Sequence, residues 1–198
     1  MSSKINSKDI INKQKEKYGD FPWSKFLLQE FDKPTFEKML DKLIAGVSTG
    51  KPFTPPMKSW FDDFIKVSPV DLKVLVISKG PVEFPSDFVS QELLSNQGVM
   101  FYNLSRTAVG TDQMMEDWRM FNIYFIDYLV SNIPDIVYVF VGFEASDFSE
   151  LITEDTHGNK VFLPEQSHAI WNSNKLHKLF AENVNSILES KDISTINW

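Results

Sequence analysis

Val74-Leu-Val-Ile-Ser-Lys-Gly-Pro-Val-Glu83 is the stretch on which the reading of this chain turns. Its first half, extended back to Leu72, is an apolar run broken only by Lys73, and it stops just before a Gly-Pro turn. Such a run, of strand length and without alternation, is what a strand buried on both faces requires. Two more runs of the same kind follow, Gly98 to Asn103 and Ile136 to Val141, with a weaker fourth at Val161 to Leu163. Between and around them the apolar residues fall at helical spacing: Trp23 to Phe31, Thr35 to Ala45, Trp60 to Val67, Met114 to Val130 and Asn174 to Glu189. Thr35 is placed to cap the second of these helices and Gly46 to stop it. Strands alternating with helices predict an α/β fold on a parallel or mixed sheet.

Composition sets outer bounds. A chain of 198 residues with 42% hydrophobic residues fits one domain, able to bury roughly 70% of its unfolded surface. We assign that domain to residues 18–198, and residues 1–17, polar and of mixed charge, to a flexible arm or frayed helix. The arm has no apolar segment of the kind a secretory leader carries, and no run reaches the about 18 apolar residues of a membrane span; a cytoplasmic protein is expected. With no cysteine there is no disulfide or thiol chemistry. His157, His168 and His177 lack the close spacing of metal ligands, so neither metal nor cofactor is expected.

A second layer of pattern lies in particular residues. Trp23, Phe26, Leu27 and Glu30 precede Lys33-Pro34. Lys51-Pro-Phe-Thr-Pro-Pro and Trp60-Phe-Asp-Asp-Phe64 come before the first strand, and Gly98-Val-Met-Phe-Tyr-Asn103 is followed by Arg106-Thr107. Trp118 opens a helix, Val137 to Gly142 is a buried strand, and Thr195-Ile-Asn-Trp198 comes last. In order and spacing this resembles the family 1 uracil-DNA glycosylases over nearly the whole chain. The resemblance implies a three-layer α/β sandwich on a central, mostly parallel four-stranded sheet.

It also implies where a catalytic site would stand. In the family the first strand ends in Gly-Gln-Asp-Pro-Tyr-His; here the same positions are Ser78, Lys79, Gly80, Pro81, Val82 and Glu83. The family's Asp, which handles the water and the sugar cation, corresponds to Gly80. Its pocket-narrowing Tyr corresponds to Val82, and the next His to Glu83. A long family segment with a uracil-stacking phenylalanine is shortened to Phe84–Gln97, where Phe84 or Phe88 stands in for the ring or packs in the core. Asn103 aligns with the uracil-reading Asn, whose amide can hold a pyrimidine edge; the alternative is a buried amide kept for the fold. The last family motif, His-Pro-Ser-Pro-Leu-Ser, falls on Gln166-Ser-His-Ala-Ile-Trp171, or, shifted by two, on His168-Ala-Ile-Trp-Asn-Ser173. Asn103 and His168 are therefore the residual catalytic candidates, and the resemblance implies a pseudoenzyme.

Charge points the same way. There are 20 basic against 27 acidic side chains, a net charge of −7, whereas phosphate contacts supply most non-specific DNA affinity. Direct DNA binding is not expected; Lys79 and Arg106 are the basic residues closest to the motifs. Acidic residues gather at Asp112, Glu116 and Asp117, and at Glu144, Asp147, Glu150, Glu154 and Asp155 after the third strand. The second group makes a candidate protein interface for a basic partner. In length and in its altered motifs the chain also resembles anti-sigma proteins of large staphylococcal phages. That resemblance implies binding to the DNA-recognising C-terminal region of the host primary sigma factor and modulation of host RNA polymerase. A glycosylase of altered chemistry and a non-catalytic DNA-replication accessory protein are the alternatives.

Overall fold

A computed structural model describes residues 6–47, 53–82, 89–109, 112–113, 115–152, 159–164 and 174–198. Its helices are α1 Ser7–Tyr18, α2 Ser24–Phe31, α3 Pro34–Val47, α4 Asp63–Lys66, α5 Gln91–Ser95, α6 Arg119–Asn132, α7 Phe143–Ser146 and α8 Asn174–Ser190. Its strands are β1 Phe53–Thr54, β2 Val74–Ser78, β3 Val99–Asn103, β4 Ala108–Val109, β5 Asp112–Gln113, β6 Val137–Val141 and β7 Lys160–Leu163. The chain forms two compact units, residues 1–65 with 105–125 and residues 66–104 with 126–198.

The first unit is built on aromatic rings. Trp23, Phe26, Phe31, Phe36, Trp60, Phe61, Phe64, Trp118, Phe121 and Phe125 are all buried. They meet edge to face more often than flat: Trp23 on Phe64 at 5.5 Å and 82°, Trp60 on Trp118 at 5.5 Å and 89°. This geometry sets the positive ring edge against the negative face. Residues 7–17, expected as a flexible arm or frayed helix, form most of α1 instead. Asn6 caps it by accepting from the Asp9 N–H at 2.8 Å, and Ile10, Ile11, Gln14 and Tyr18 make one buried stripe. Two isoleucines among lysines are too sparse a stripe to stand out in the sequence; burial of Tyr18 and a 3.0 Å bond from the Gln14 amide to the Met57 carbonyl complete it.

Two helix starts also differ from expectation. In α3 the first helical bonds run back to the Lys33 carbonyl, so Lys33 is the cap, and Pro34, not Thr35, begins the helix. Proline suits that position because its missing N–H has no partner there in any case. The helix expected from Met114 starts at Arg119, after turns at residues 115–118, with the Trp118 carbonyl accepting from the Asn122 N–H at 3.0 Å. A small antiparallel sheet, β1-β4-β5, was not foreseen; its two-residue strands are too short to show a period.

The second unit holds a four-stranded sheet in the order β3-β2-β6-β7, every pairing parallel. β2 and β6 are buried along their whole length, as continuous apolar central strands should be. On one face Val74, Val76, Val99, Val137, Val139, Val141, Val161 and Leu163 pack with Phe180, Val184 and Leu188 of α8. The entry to β3 depends on Gly98, which has φ +94°, and a Cβ there would lie 2.2 Å from the Asp71 carbonyl oxygen. The fold class is thus α/β with a central parallel four-stranded sheet flanked by helices. Among the described residues no helix is long and apolar enough to cross a membrane.

Candidate functional site

Parallel pairing brings the carboxyl ends of all four strands to one edge of the sheet. Ser78 is in register with Asn103 on one side and Val141 on the other, and Val141 with Leu163. The crevice outside such ends is where open α/β sheets bind ligands. Both Ser78 and Asn103 are therefore placed by strand register alone.

The polar groups at this edge bind one another. The buried Ser78 hydroxyl donates to the Gly80 carbonyl at 2.6 Å and lies 3.3 Å from Asn103 Oδ1. A hydroxyl has one proton, and the shorter contact takes the larger share of it. The Leu104 N–H, directly after Asn103, donates to the Ser78 carbonyl at 2.8 Å. Gly80 contributes only backbone. Val82 is buried with Leu94 and Val99, and its carbonyl accepts from the Gln91 amide at 2.6 Å.

Lys79 is paired across a long sequence distance. Its ammonium lies 2.6 Å from Glu144 Oε1, on the first turn of α7. The Lys79 hydrogen bond, helped by the backbone N–H of Glu144 itself, holds the Glu144 carboxyl below the ordinary range against a small opposing effect of burial. Glu144 is thus ionised near neutral pH but locally neutralised. Asp147 and Glu150, on the short 3₁₀ segment Asp147–Leu151, are exposed and have no ion pair among the described residues. The structure therefore splits the acidic group by environment. Glu83, Phe84, Phe88, Glu154, Asp155, Gln166, His168 and Ser173 lie outside the described residues, so their part in the site stays as read from the sequence.

Arg106, named as a basic residue near the motifs, is buried within the first unit. Its guanidinium makes a two-pronged pair with Asp63 at 2.9 and 3.0 Å and donates to the Trp60 carbonyl at 2.9 Å. The rings of Phe64, Phe121 and Phe61 surround it at 4.9 to 5.5 Å. It is a core cation, as a planar bidentate donor can be where a lysine could not.

The first unit also has an open cleft of about 310 Å³ lined by Phe36, Met39, Lys42, Asp117, Met120 and Tyr124, among others. Asp117, from the other acidic group, pairs there with Lys42. The Lys33 ammonium sits 3.4 Å from the Tyr124 ring centre and 2.5 Å from Glu30. Of the cleft's charged residues, Glu30, Lys42 and Asp117 are thus engaged within the unit. Among the described residues no group of three or more His, Cys, Asp or Glu side chains could hold a metal ion.

Strand register is what sets Ser78 beside Asn103; sequence reasoning named Ser78 and Gly80 from one motif and Asn103 from another. It missed the Lys79–Glu144 pair, whose partners are 65 positions apart; their approach depends on β2 and β6 being neighbours.

No family model matches the chain, and no curated protein does. Solved structures do match. Mimivirus uracil-DNA glycosylase superimposes with a TM-score of 0.74 at 16% identity, covering 98% of this chain and 90% of that one. A Y322L variant of the mimivirus enzyme, in complex with UGI, gives 0.71 at 15% identity, over 98% and 91%. The enzyme from Nitratifractor salsuginis gives 0.59 at 12% identity, over 88% and 96%. At such identities the likeness speaks for architecture only, and on that evidence the chain has the uracil-DNA glycosylase fold.

Proposed function

We propose that the chain is a non-catalytic protein on a glycosylase fold that acts by binding a protein partner. The observation that carries this reading is the engagement of the Ser78 hydroxyl at the carboxyl edge of β2 and β3, beside a glycine at position 80. The Ser78 hydroxyl donates to the Gly80 carbonyl and lies beside Asn103 Oδ1, and position 80 has no side chain to handle water. Removing a base requires a flipped nucleotide, donors aimed at its edge and stabilisation of a sugar cation. A glycine cannot supply the last of these, and the Lys79–Glu144 pair offers a carboxylate already matched to a cation.

The partner we propose is the DNA-recognising C-terminal region of a host primary sigma factor, with modulation of transcription as the outcome. Net charge −7 suits a basic partner and opposes a polyanion. Engagement of Lys79 with Glu144 and of Arg106 with Asp63 is further support against a nucleic-acid groove.

Two measurements on the purified chain test the proposal. Uracil excision from a single-stranded uracil oligonucleotide is expected to be absent, and calorimetric titration with the sigma region is expected to give a 1:1 complex that weakens with salt. Excision that disappears on Asn103→Ala would establish an enzyme of altered geometry instead. Titration without heat would remove the sigma partner.

A further inference from the structure

We infer that the partner docks on an aromatic face formed by the segment after β6 and the outer strand β7, and that it presents there a basic, amphipathic protein segment. This rests on the protein-binding reading above and deepens it by naming the surface and the chemistry of its occupant.

The face is built by two ties. At one end the Gly142 N–H donates to the Leu163 carbonyl at 3.0 Å. At the other the Lys160 ammonium donates to the Ser149 and Ile152 carbonyls at 2.9 and 3.1 Å. Residues 142–152 are thus anchored to β7 at both ends. Their inward residues are Ala145, Phe148 and Ile152, all buried. The outward ones include Phe143, 77% exposed, and Leu151, 36% exposed. Between the two ties, on the strand face that carries Lys160, stands Phe162, which is 54% exposed. Its ring stacks on the buried Phe140 at 5.4 Å and 20°, leaving the other side open.

Single exposed apolar residues are ordinary on a protein surface. Three large ones gathered on one short anchored segment and the strand it is tied to are not, and such patches mark interaction sites. The charges on this face choose the occupant. Asp147 and Glu150 are exposed without ion pairs among the described residues, and Lys160 is turned onto backbone carbonyls. A segment with arginine or lysine beside aliphatic side chains satisfies both features, its cations resting on the carboxylates and the open ring faces. Nucleic acid would meet the carboxylates with its phosphates, and a second copy of this chain would bring another net charge of −7.

The test is calorimetric titration of the full chain and its variants against two probes. One is the purified sigma C-terminal region; the other is a synthetic amphipathic helix with arginines on one face and leucines on the other. Phe143→Ser, which removes little from the core, and the double change Asp147→Lys with Glu150→Lys are each expected to weaken binding about tenfold or more. Leu179→Ser, at an exposed apolar position on α8, is expected to change nothing. Binding of the sigma region that is unaffected by the face variants would overturn the docking face and leave the proposed partner standing. If the sigma region does not bind, the synthetic helix decides: salt-sensitive binding lost in Phe143→Ser sustains the face without the partner, and no binding, or binding indifferent to the variants, overturns it.

Discussion

The aromatic unit and the sheet unit treat their buried polar groups differently. In the first, a guanidinium lies among the rings of Phe61, Phe64 and Phe121 and is held by Asp63 and a carbonyl. In the second, one face of the sheet is packed mainly with valine and leucine, and Ser78 and Asn103 sit at the strand ends, with the Ser78 hydroxyl between Asn103 and the turn at Gly80. The lesson concerns cost. A cation deep in a core cannot lose its partner cheaply, whereas removing one partner of a neutral hydroxyl or amide forfeits only a neutral hydrogen bond. The first arrangement secures the fold, and the second joins the carboxyl ends of β2 and β3 by neutral bonds.

The strongest test of that contrast is Arg106→Ala. It leaves the Asp63 carboxylate without its partner and empties space among three rings, so we expect a loss of about 3–5 kcal/mol in urea unfolding. A loss below that of an ordinary surface change would mean that water already reaches the pair.

Next comes the packing itself. Phe61→Ala should cost about 3–5 kcal/mol, and Val139→Ala on the central strand about 2 kcal/mol, because the cavity left by a ring is larger than that left by two methyls. Equal losses in parallel urea titrations would show that the sheet unit is as intolerant of vacancy as the aromatic one.

Asn103→Ala should cost only about 1 kcal/mol, as loss of one neutral hydrogen-bond partner near an edge. A loss comparable to that of Arg106→Ala would place Asn103 among the groups on which the fold depends.

The smallest effect is expected for Lys79→Ala. The pair is partly exposed, so its loss should change stability by less than about 1 kcal/mol, yet the Glu144 carboxyl should titrate closer to the ordinary range. The sign follows from linkage. With Lys79 present the folded value is lowered, so the contribution is complete above the unfolded value and is lost as pH falls through the folded one. NMR titration of the Glu144 carboxyl in the two proteins checks the shift, and acid unfolding should begin no later in the variant.

Much of the sheet was legible because its signal is local. Val74 to Ile77, Val99 to Tyr102 and Val137 to Val141 are continuous apolar runs, and each became a buried or largely buried strand. Helix boundaries were less legible, since Lys33 and Trp118 cap through backbone carbonyls, which any residue carries. Of the candidate site, Ser78, Gly80 and Asn103 could be named from motif order, and the β2–β3 pairing made Ser78 and Asn103 neighbours. The fate of the acidic group could not, because sequence counts charges without showing which of them meet.

The amino-acid sequence alone determined the α/β class, the positions of the central strands and the glycine at position 80, since strand-length apolar runs and residue identities need no distant partner. Tertiary structure decided what contacts across many positions decide. It set the sheet order that brings Lys79 to Glu144, the burial of Arg106 in a cage of rings, and the two ties that turn Phe143 and Phe162 outward. Each of these depends on which segments pack together, and that is settled by burial summed over the whole chain rather than by any one stretch of it.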